Sequence, residues 1–266
     1  MMRLERHARI TEFLYEQGSV TVAALAELTA VSEMTVRRDL EKLERQGVCR
    51  RVHGGAVLPP GRGTEAALAE RRDHHVDAKR RIGRWTAAQI ASGETVLLDI
   101  GSTTLAVAEA LASRGNLTVI TPSLDIAILL ADGGDNRTIC LGGIVRRGEH
   151  SVVGSLTERA LEEFHVDVCV LSAGGVSVVG GITEYHPEGA EVKRLMLRRA
   201  QRSVLVVDES KLGIQTFAVV APLDAVDQVV TSAHPVSGQL LALHAAGVDV
   251  VNVAEEDGAA PSSSGG

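Results

Sequence analysis

The 266-residue chain lacks the features of several large protein classes. Its three cysteines, Cys49, Cys140 and Cys169, form no C-x-x-C pair, so neither a disulfide framework nor a zinc site is expected. We expect all three to be buried free thiols. No apolar run approaches the ~20 residues that cross a bilayer, which predicts a cytoplasmic protein without membrane contact. Aromatic residues are only 2%, which argues against a stacking platform for single strands.

Two nucleotide-binding patterns are also missing. The chain has no G-x-x-x-x-G-K-[ST] loop and no G-x-G-x-x-G fingerprint. ATP and NAD are therefore disfavoured, and we expect no cofactor and no metal.

The chain does contain a strong helical pattern near its start. Val36, Leu40 and Leu43 lie at i, i+4 and i+7 and form one apolar stripe, and Ser32 is a natural N-cap. Arginine pairs on such helices are usually a solvated face, so the neighbouring elements must decide their role. The side chains that face away from the stripe or flank it are Met34, Thr35, Arg37, Arg38 and Arg45.

A second short helix precedes this one, with Val22 and Leu25 inward and Thr21 as its cap. Only Ala30 and Val31 separate it from the next cap, so the two helices must cross steeply, as in a helix-turn-helix over about residues 20–39. A first helix is predicted from Ile10, Phe13 and Leu14.

Alternation from Val48 to Val57 predicts a hairpin that forms a basic wing beside the third helix. This combination favours contact with double-stranded DNA. The predicted DNA contacts are Thr21, Ser32, Met34, Thr35, Arg37, Arg38, Arg50, Arg51 and His53.

The net charge of −7 argues at first against a polyanionic partner. Residues 1–58 hold nine basic against eight acidic side chains, so the remainder carries −8. Affinity for DNA must then come from arginines concentrated on one surface and doubled by dimerisation.

The N-terminal pattern resembles a known family. The sequence VSEMTVRRDL at 31–40, followed by RVHGGA at 51–56, is similar to the motif of DeoR-type bacterial transcription regulators. The resemblance implies a winged helix-turn-helix that binds operator DNA.

Composition predicts a second, larger domain. The Pro- and Gly-rich segment at 58–63 reads as a hinge, which gives a DNA-binding domain at 1–58, a linker at 59–76, an α/β domain at 77–254 and a disordered tail at 255–266. His74 and His75 are expected to be solvated surface. Helices at 105–113 and 188–200 alternate with short apolar strands, which predicts a mostly parallel sheet. The predicted strands are 95–100, 117–121, 138–141, 166–172, 203–208 and 228–231.

Ligands of parallel sheets collect at the carboxyl ends of the strands. There the strand through Asp99 breaks into Gly101-Ser102-Thr103-Thr104 and a helix, which suits a phosphate but is equally typical of a turn with a helix cap. Lys211 would neutralise phosphate charge, and Asp208 would accept sugar hydroxyls. Further candidates at strand ends are Thr121, Gly142, Gly143 and Gly174.

The family resemblance extends over this second domain. Matching stretches include Asp99 to Thr104, Gly142-Gly143, Glu191 to Arg194 and Asp208 to Lys211. The resemblance implies a domain similar to the ribose-5-phosphate isomerase and glucosamine-6-phosphate deaminase folds that senses phosphorylated sugars. The chain departs from the family where Ser102, Pro122 and Glu184 replace the more usual Thr, Asn and Asp.

The sequence therefore predicts a ligand-controlled transcription factor, a repressor of a sugar or polyol catabolic operon. Its expected partners are double-stranded operator DNA, a phosphorylated sugar or polyol, and further copies of itself in a homodimer or homotetramer. A purely architectural DNA protein would leave the α/β domain without a role. The main alternative is an active sugar-phosphate isomerase or deaminase, with bases drawn from Asp99, Glu184, His186, Glu188 and Asp208.

Overall fold

The chain forms two compact units, Met1–Glu65 and Ala66–Gly266. The predicted tail and residues 59–67 of the predicted linker lie outside the described residues. Residues 68–76 are not a linker, because Leu68–Asp73 forms helix α3 and α4 begins at Val76; a six-residue charged helix is too short to show periodicity. The computed structural model describes residues 6–7, 9–10, 13–14, 19–45, 49–52, 54–57 and 68–254.

The first unit contains the predicted helix-turn-helix. Helix α1 spans Val22–Thr29 and helix α2 spans Glu33–Arg45. Thr21 caps α1, since its Oγ1 accepts a hydrogen bond from the Ala24 amide at 3.1 Å, and Ser32 Oγ accepts one from the Thr35 amide at 3.3 Å. Both predicted caps are confirmed.

The core of this unit joins the predicted first helix to the other two. Ile10 and Leu14 are buried against Leu25 and Val36, whereas Phe13 is only half-buried. Cys49 lies in the same core, and burial raises the pKa of its thiol to about 11.

The predicted hairpin is confirmed and gains a strand. Strands β2 (Arg50–Val52) and β3 (Gly55–Val57) pair antiparallel, and β1 (Ser19–Thr21) adds to the free side of β3. Three residues before a helix cap carry no strand signal, so β1 was not predicted. A Cβ at Gly55 would lie 2.0 Å from the carbonyl oxygen of Val20, so this close approach of β3 to β1 requires glycine.

The second unit is built on a seven-stranded sheet whose neighbouring strands are all parallel, which confirms the predicted class. Six of the seven strands lie where the sequence predicts them, and the short edge strand β15 is the addition. In spatial order they are β15 (Val250–Asn252), β14 (Gln228–Thr231), β12 (Ala200–Val207), β9 (Val166–Leu171), β4 (Thr95–Leu98), β5 (Thr118–Thr121) and β6 (Arg137–Cys140).

Helices cover both faces of this sheet. Alternate side chains of β4 enter two separate cores, with Leu97 in one and Val96 and Leu98 in the other. One face carries α4 (Val76–Ala88), α5 (Ser102–Ala112) and α6 (Leu124–Asp132), and the opposite face carries α7 (Ser155–Glu162), α8 (Pro187–Arg199) and α9 (Gly238–Ala245).

Two small antiparallel sheets were not predicted. Strands β7 (Ile144–Arg146) and β8 (Ser151–Val153) form a hairpin. Strands β10 (Gly175–Ser177), β11 (Gly181–Glu184) and β13 (Ala218–Ala221) form the other sheet. These short strands lie outside the alternation of helices and apolar strands from which the large sheet was predicted.

Two of the three thiols are buried as expected, but Cys140 is exposed. It ends β6, which is an edge strand of the large sheet, so one side of its backbone has no covering neighbour. No helix in the described part of the chain is long and apolar enough to cross a membrane.

A partly buried ion cluster links the first helix of the N-terminal unit to α2. Arg6 Nε lies 2.6 Å from Asp39 Oδ2, and His7 Nε2 lies 2.9 Å from Asp39 Oδ1. Burial alone would raise the pKa of the Asp39 carboxyl, but the bonds from Arg6 and His7 outweigh it and hold that pKa below its usual 3.8.

We therefore expect Asp39→Asn to destabilise the N-terminal unit by about 1–3 kcal/mol, because it removes the carboxylate that accepts from the partly buried Arg6 and His7. In the wild type this stabilisation is complete above the unfolded pKa and is lost as pH falls through the lowered native pKa. Hydrogen exchange of α2 amides in the full chain, measured by mass spectrometry, reports the loss locally.

Glu33→Gln is the matched control, since it breaks the exposed pair between Glu33 and Arg37 and should cost no more than ~0.5 kcal/mol. Equal protection of α2 in both variants would show that the Asp39 cluster does not stabilise the unit.

Candidate functional site

On the outward face of α2, the described side chains include an arginine without an internal partner, while the side chain of Arg45 lies outside the described residues. Arg38 is exposed and makes no hydrogen bond or ion pair with the residues that the structure describes. Met34 beside it is 60% exposed, whereas Thr35 is half-buried and its Oγ1 lies 3.0 Å from Ser32 Oγ. Arg38 is therefore the side chain of α2 most open to an external ligand.

The other described arginines of this surface are paired. Arg37 donates to Glu33 at 3.1 Å, and Arg51 of the wing donates to Glu41 of α2 at 3.0 Å. Both arginines line a groove of about 390 Å³ between α2 and the wing. Exposed pairs of this kind contribute at most about 1 kcal/mol, so a phosphate can replace the carboxylates. The side chain of Arg50 and the whole of His53 lie outside the described residues.

The second unit has a cavity of about 270 Å³ at the carboxyl ends of β4, β9 and β12. This is the edge where parallel sheets bind ligands. Five of the predicted effector residues line it, namely Gly101, Ser102, Thr103, Asp208 and Lys211. The other lining residues are Arg71, His74, His75, Lys79, Ser172, Ala173, Val206, Val207 and Ser210.

The amino end of α5 opens into this cavity. Gly101 is its N-cap, and no side chain caps the helix, so its first amides have no intrahelical acceptor. The Gly101 backbone has φ +126°, and a Cβ there would lie 3.0 Å from Ser172 Oγ. An uncapped helix start with two hydroxyl side chains, Ser102 and Thr103, is suited to an anion.

Cations surround the same space. Lys79 is buried, and burial lowers its pKa, with Arg71 and Lys211 near enough to lower it further against the opposite effect of Asp208. Lys79 Nζ lies 3.8 Å from Asp208 Oδ2. Lys211 Nζ lies 5.6 Å from the centre of the Tyr185 ring. A bound anion would relieve the repulsion among these cations.

Asp208 is held in place by its own turn. Its Oδ1 accepts a hydrogen bond from the Ser210 amide at 3.0 Å, and the 3₁₀ turn Glu209–Lys211 follows it. Oδ2 is the oxygen nearer to Lys79. A carboxylate fixed in this way can accept a hydroxyl hydrogen bond from a ligand.

Six predicted effector residues do not line the cavity, because internal contacts engage them. Thr104 Oγ1 donates to the Gly101 carbonyl, and Thr121 Oγ1 accepts from the Ser123 amide. The Gly142 carbonyl accepts from Thr157, and Gly143 lies against the same side chain. The remaining two are Asp99, bonded to Lys193, and Gly174, packed against Tyr185.

Sequence reasoning missed four basic or imidazole side chains of the cavity wall. His74 and His75 are exposed as expected, but they face the cavity. Lys79 and Ile82 share the buried side of α4, so a lysine on an apolar stripe was the available signal. No sequence signal pointed to Arg71, because α3 itself was not predicted.

Behind the cavity lies a buried cluster of one cation and two carboxylates. Lys193 of α8 bonds to Asp99 and lies 3.2 Å from Glu184 Oε2. Asp99 Oδ2 also accepts from the amide of Ser172, at 2.9 Å, and from its hydroxyl, at 3.0 Å. Pro122, the family departure at the next strand end, is buried and does not line the cavity.

These features define a class: transcription regulators with an N-terminal helix-turn-helix and a C-terminal α/β sensor. A family model described as a DeoR-like helix-turn-helix domain matches residues 6–60, and one described as a DeoR C terminal sensor domain matches residues 74–233. The chain belongs to the DeoR family.

Relatives that match most of the chain are also transcriptional regulators. The glycerol-3-phosphate regulon repressor of Escherichia coli (strain K12) is 34% identical over 235 residues, which cover 88% of this chain and 93% of that protein. The transcriptional repressor GlcR of Bacillus subtilis (strain 168) is 33% identical over 258 residues, 97% of this chain and 99% of the other. This protein is a DNA-binding transcriptional regulator.

Among solved structures, ribose 5-phosphate isomerase A from Methanocaldococcus jannaschii matches 51% of this chain and 54% of its own, with 18% identity and a TM-score of 0.38. So weak a likeness carries no argument about function.

The geometry at Gly101 predicts that Gly101→Ala weakens binding of inorganic phosphate at least tenfold, because the added methyl both strains the backbone and displaces Ser172 from the start of α5. Isothermal titration calorimetry with the full chain measures this. Gly93→Ala is the control: Gly93 has φ +92° but nothing within 4 Å of the added Cβ. Both variants should lose about 1–2 kcal/mol of stability, and only Gly101→Ala should lose the anion. Equal phosphate affinity in the two variants would show that phosphate does not bind at the amino end of α5.

Proposed function

We propose that this regulator represses a sugar or polyol catabolic operon and that a phosphorylated sugar or related metabolite controls its hold on operator DNA. The observation that carries this proposal is the cavity at the sheet edge, which joins an uncapped helix start to Arg71, Lys79 and Lys211. The name of the Escherichia coli relative, a glycerol-3-phosphate regulon repressor, supports the same ligand class.

The cavity offers both cations and a hydrogen-bond acceptor, which is the combination that a phosphomonoester with hydroxyl groups needs. The cations and the amides of α5 would hold the phosphate, since charge-assisted hydrogen bonds are about twice as strong as neutral ones. Asp208 would accept a hydroxyl from the carbon chain. A volume of about 270 Å³ admits a small sugar or polyol phosphate rather than a dinucleotide.

On the DNA side, Arg38 would reach a base edge in the major groove, because it is exposed and bound to no other described residue. Arg37 and Arg51 would exchange their carboxylates for backbone phosphates along the groove that they share. Helix-turn-helix proteins present two recognition helices to spaced half-sites, so we propose a homodimer or homotetramer acting in the cytoplasm.

We further propose that the protein is not an enzyme. Isomerase or deaminase chemistry needs a carboxylate that is free to move a proton at the substrate carbon. Asp99 and Glu184 are buried and both engaged with Lys193. Burial and Arg146 lower the pKa of His186, and Asp208 is engaged with Ser210.

The DNA assignment predicts that Arg38→Ala weakens binding to the operator by ~1–3 kcal/mol and relaxes preference at one base position. Fluorescence anisotropy on the wild-type operator and its single-base variants measures both effects. Arg80→Ala is the matched control, because it removes the same charge from an exposed position on α4. An equal loss of affinity for every sequence would show that Arg38 contacts a phosphate. An unchanged affinity would show that Arg38 does not contact the DNA.

The effector assignment predicts that a phosphorylated compound, tested in pairs such as glycerol 3-phosphate and glycerol, raises Tm and releases operator DNA while its unphosphorylated partner does neither. A hundredfold release needs a differential affinity of ~2.7 kcal/mol, within reach of a phosphate site. The same panel should show no turnover. Turnover at enzyme-like rates would favour the isomerase or deaminase alternative.

A further inference from the structure

The cavity is closed on one side by the segment that leads directly to the DNA-binding unit. Arg71 of α3, His74 and His75 of the following turn, and Lys79 of α4 all line it. Residues 58–67 alone separate α3 from the wing strand β3 in the sequence. An anion in this cavity therefore touches the part of the sensor to which the DNA-binding unit is attached.

Among the described residues, three contacts join helix α3 to the sensor in addition to those of Lys79. Leu68 is buried, and its amide donates to the Gly148 carbonyl at 3.3 Å. Arg71 is paired with Glu149, which is itself buried. Arg72 lies 3.6 Å from Asp125, and this pair is partly exposed. Of these three contacts, only the one at Arg71 involves a side chain that also lines the cavity.

The turn between α3 and α4 depends on Lys79 in a similar way. Lys79 Nζ donates to the carbonyls of Arg71 and His74. It thereby spans a turn in which His75 has φ +55°, a left-handed conformation that non-glycine residues adopt at a cost. If Lys79 moved to another acceptor, this turn would lose the contact that holds it.

The two cations thus face a competition. Without a ligand, Arg71 is satisfied by Glu149, and Lys79 by two carbonyls and the nearby Asp208. A phosphate dianion between them is a strong charge-assisted acceptor, so it competes with these groups for the N–H donors of both cations. A donor that turns to the anion is lost to Glu149 or to the two carbonyls, and α3 is then attached less firmly.

We propose that Glu149 is a positioning residue of the sensor: it keeps Arg71, and with it α3, docked until an anion draws Arg71 and Lys79 into the cavity. This inference rests on the proposed function, because it assigns the route by which that cavity acts on DNA binding. The loosened α3 changes the constraint on the DNA-binding unit, and operator affinity falls.

The direction of the effect separates this mechanism from simple occupancy. A ligand that only fills a cavity protects the backbone around it from hydrogen exchange, whereas here the amides of α3 should exchange faster when phosphate is bound. We expect at least a threefold increase over residues 68–73 of the full chain at saturating inorganic phosphate, with protection at the start of α5. Mass spectrometry of peptides from the two segments measures both.

Glu149→Gln should reproduce the liganded state. Its α3 should exchange fast without phosphate and respond little to it, phosphate affinity should be unchanged or higher, and affinity for the duplex selected by the wild type should fall at least fivefold. Arg72→Gln, which breaks the partly exposed pair and removes the cation nearest to the buried Asp125 Oδ2, should shift α3 in the same direction to a smaller extent.

Glu94→Gln is the control, because Glu94 pairs with Arg202 at 2.9 Å before the amino end of β4, at the other edge of the sheet. It should leave phosphate binding, α3 exchange and DNA affinity unchanged. If phosphate binds but α3 is protected or unaffected, the coupling through Glu149 is wrong and the site stands. If phosphate does not bind to the wild type, the proposed site itself fails.

Discussion

The buried bond between Lys193 and Asp99 is the interaction on which the sensor site depends. Burial alone would lower the pKa of Lys193, but Asp99 and Glu184 reverse this and raise it, so the side chain remains a cation inside the core. Removing Lys193 would leave two buried carboxylates without their cation. Through Asp99 the cluster holds Ser172, and Ser172 Oγ bonds to the Ile100 carbonyl at 2.7 Å and stands against Gly101. The start of α5, and with it one wall of the cavity, is therefore positioned from behind by Lys193.

Local sequence signals were enough to predict much of this arrangement. The stripe of Val36 and Leu40, the caps at Thr21 and Ser32, and the break of a strand into Gly101 each depend on neighbours within a few residues, where spacing translates directly into geometry. The parallel class of the sheet followed in the same way from strands alternating with helices. These elements place the two functional surfaces, and five of the predicted effector residues do line one cavity.

What could not be predicted depends on pairs of residues that are distant in sequence. Asp99 ends a strand at the right edge, but Lys193, 94 positions later, turns its carboxylate away from the cavity. Arg71 and Glu149 are 78 positions apart, and neither position carries a local pattern. The end of a strand shows at which edge of the sheet a residue lies, but it does not show which partner bonds to the side chain. For the same reason Thr121 and Gly142 were plausible from sequence although internal bonds engage them.

The partners that the cavity cations already have also set the strength of the sensor. A ligand gains only the difference between its own bonds and those of Glu149, Asp208 and two carbonyls, and it must also be desolvated and ordered. Net affinity is therefore lower than three cations and a helix start would give if they were unpaired. For a regulator this is useful, because an effector shifts a two-state equilibrium only by its differential affinity, and a ligand bound too tightly would not leave when its concentration fell. In the mechanism that we propose, the paired state of Arg71 and Lys79 is then the DNA-binding state, kept by internal ions with which a phosphate competes.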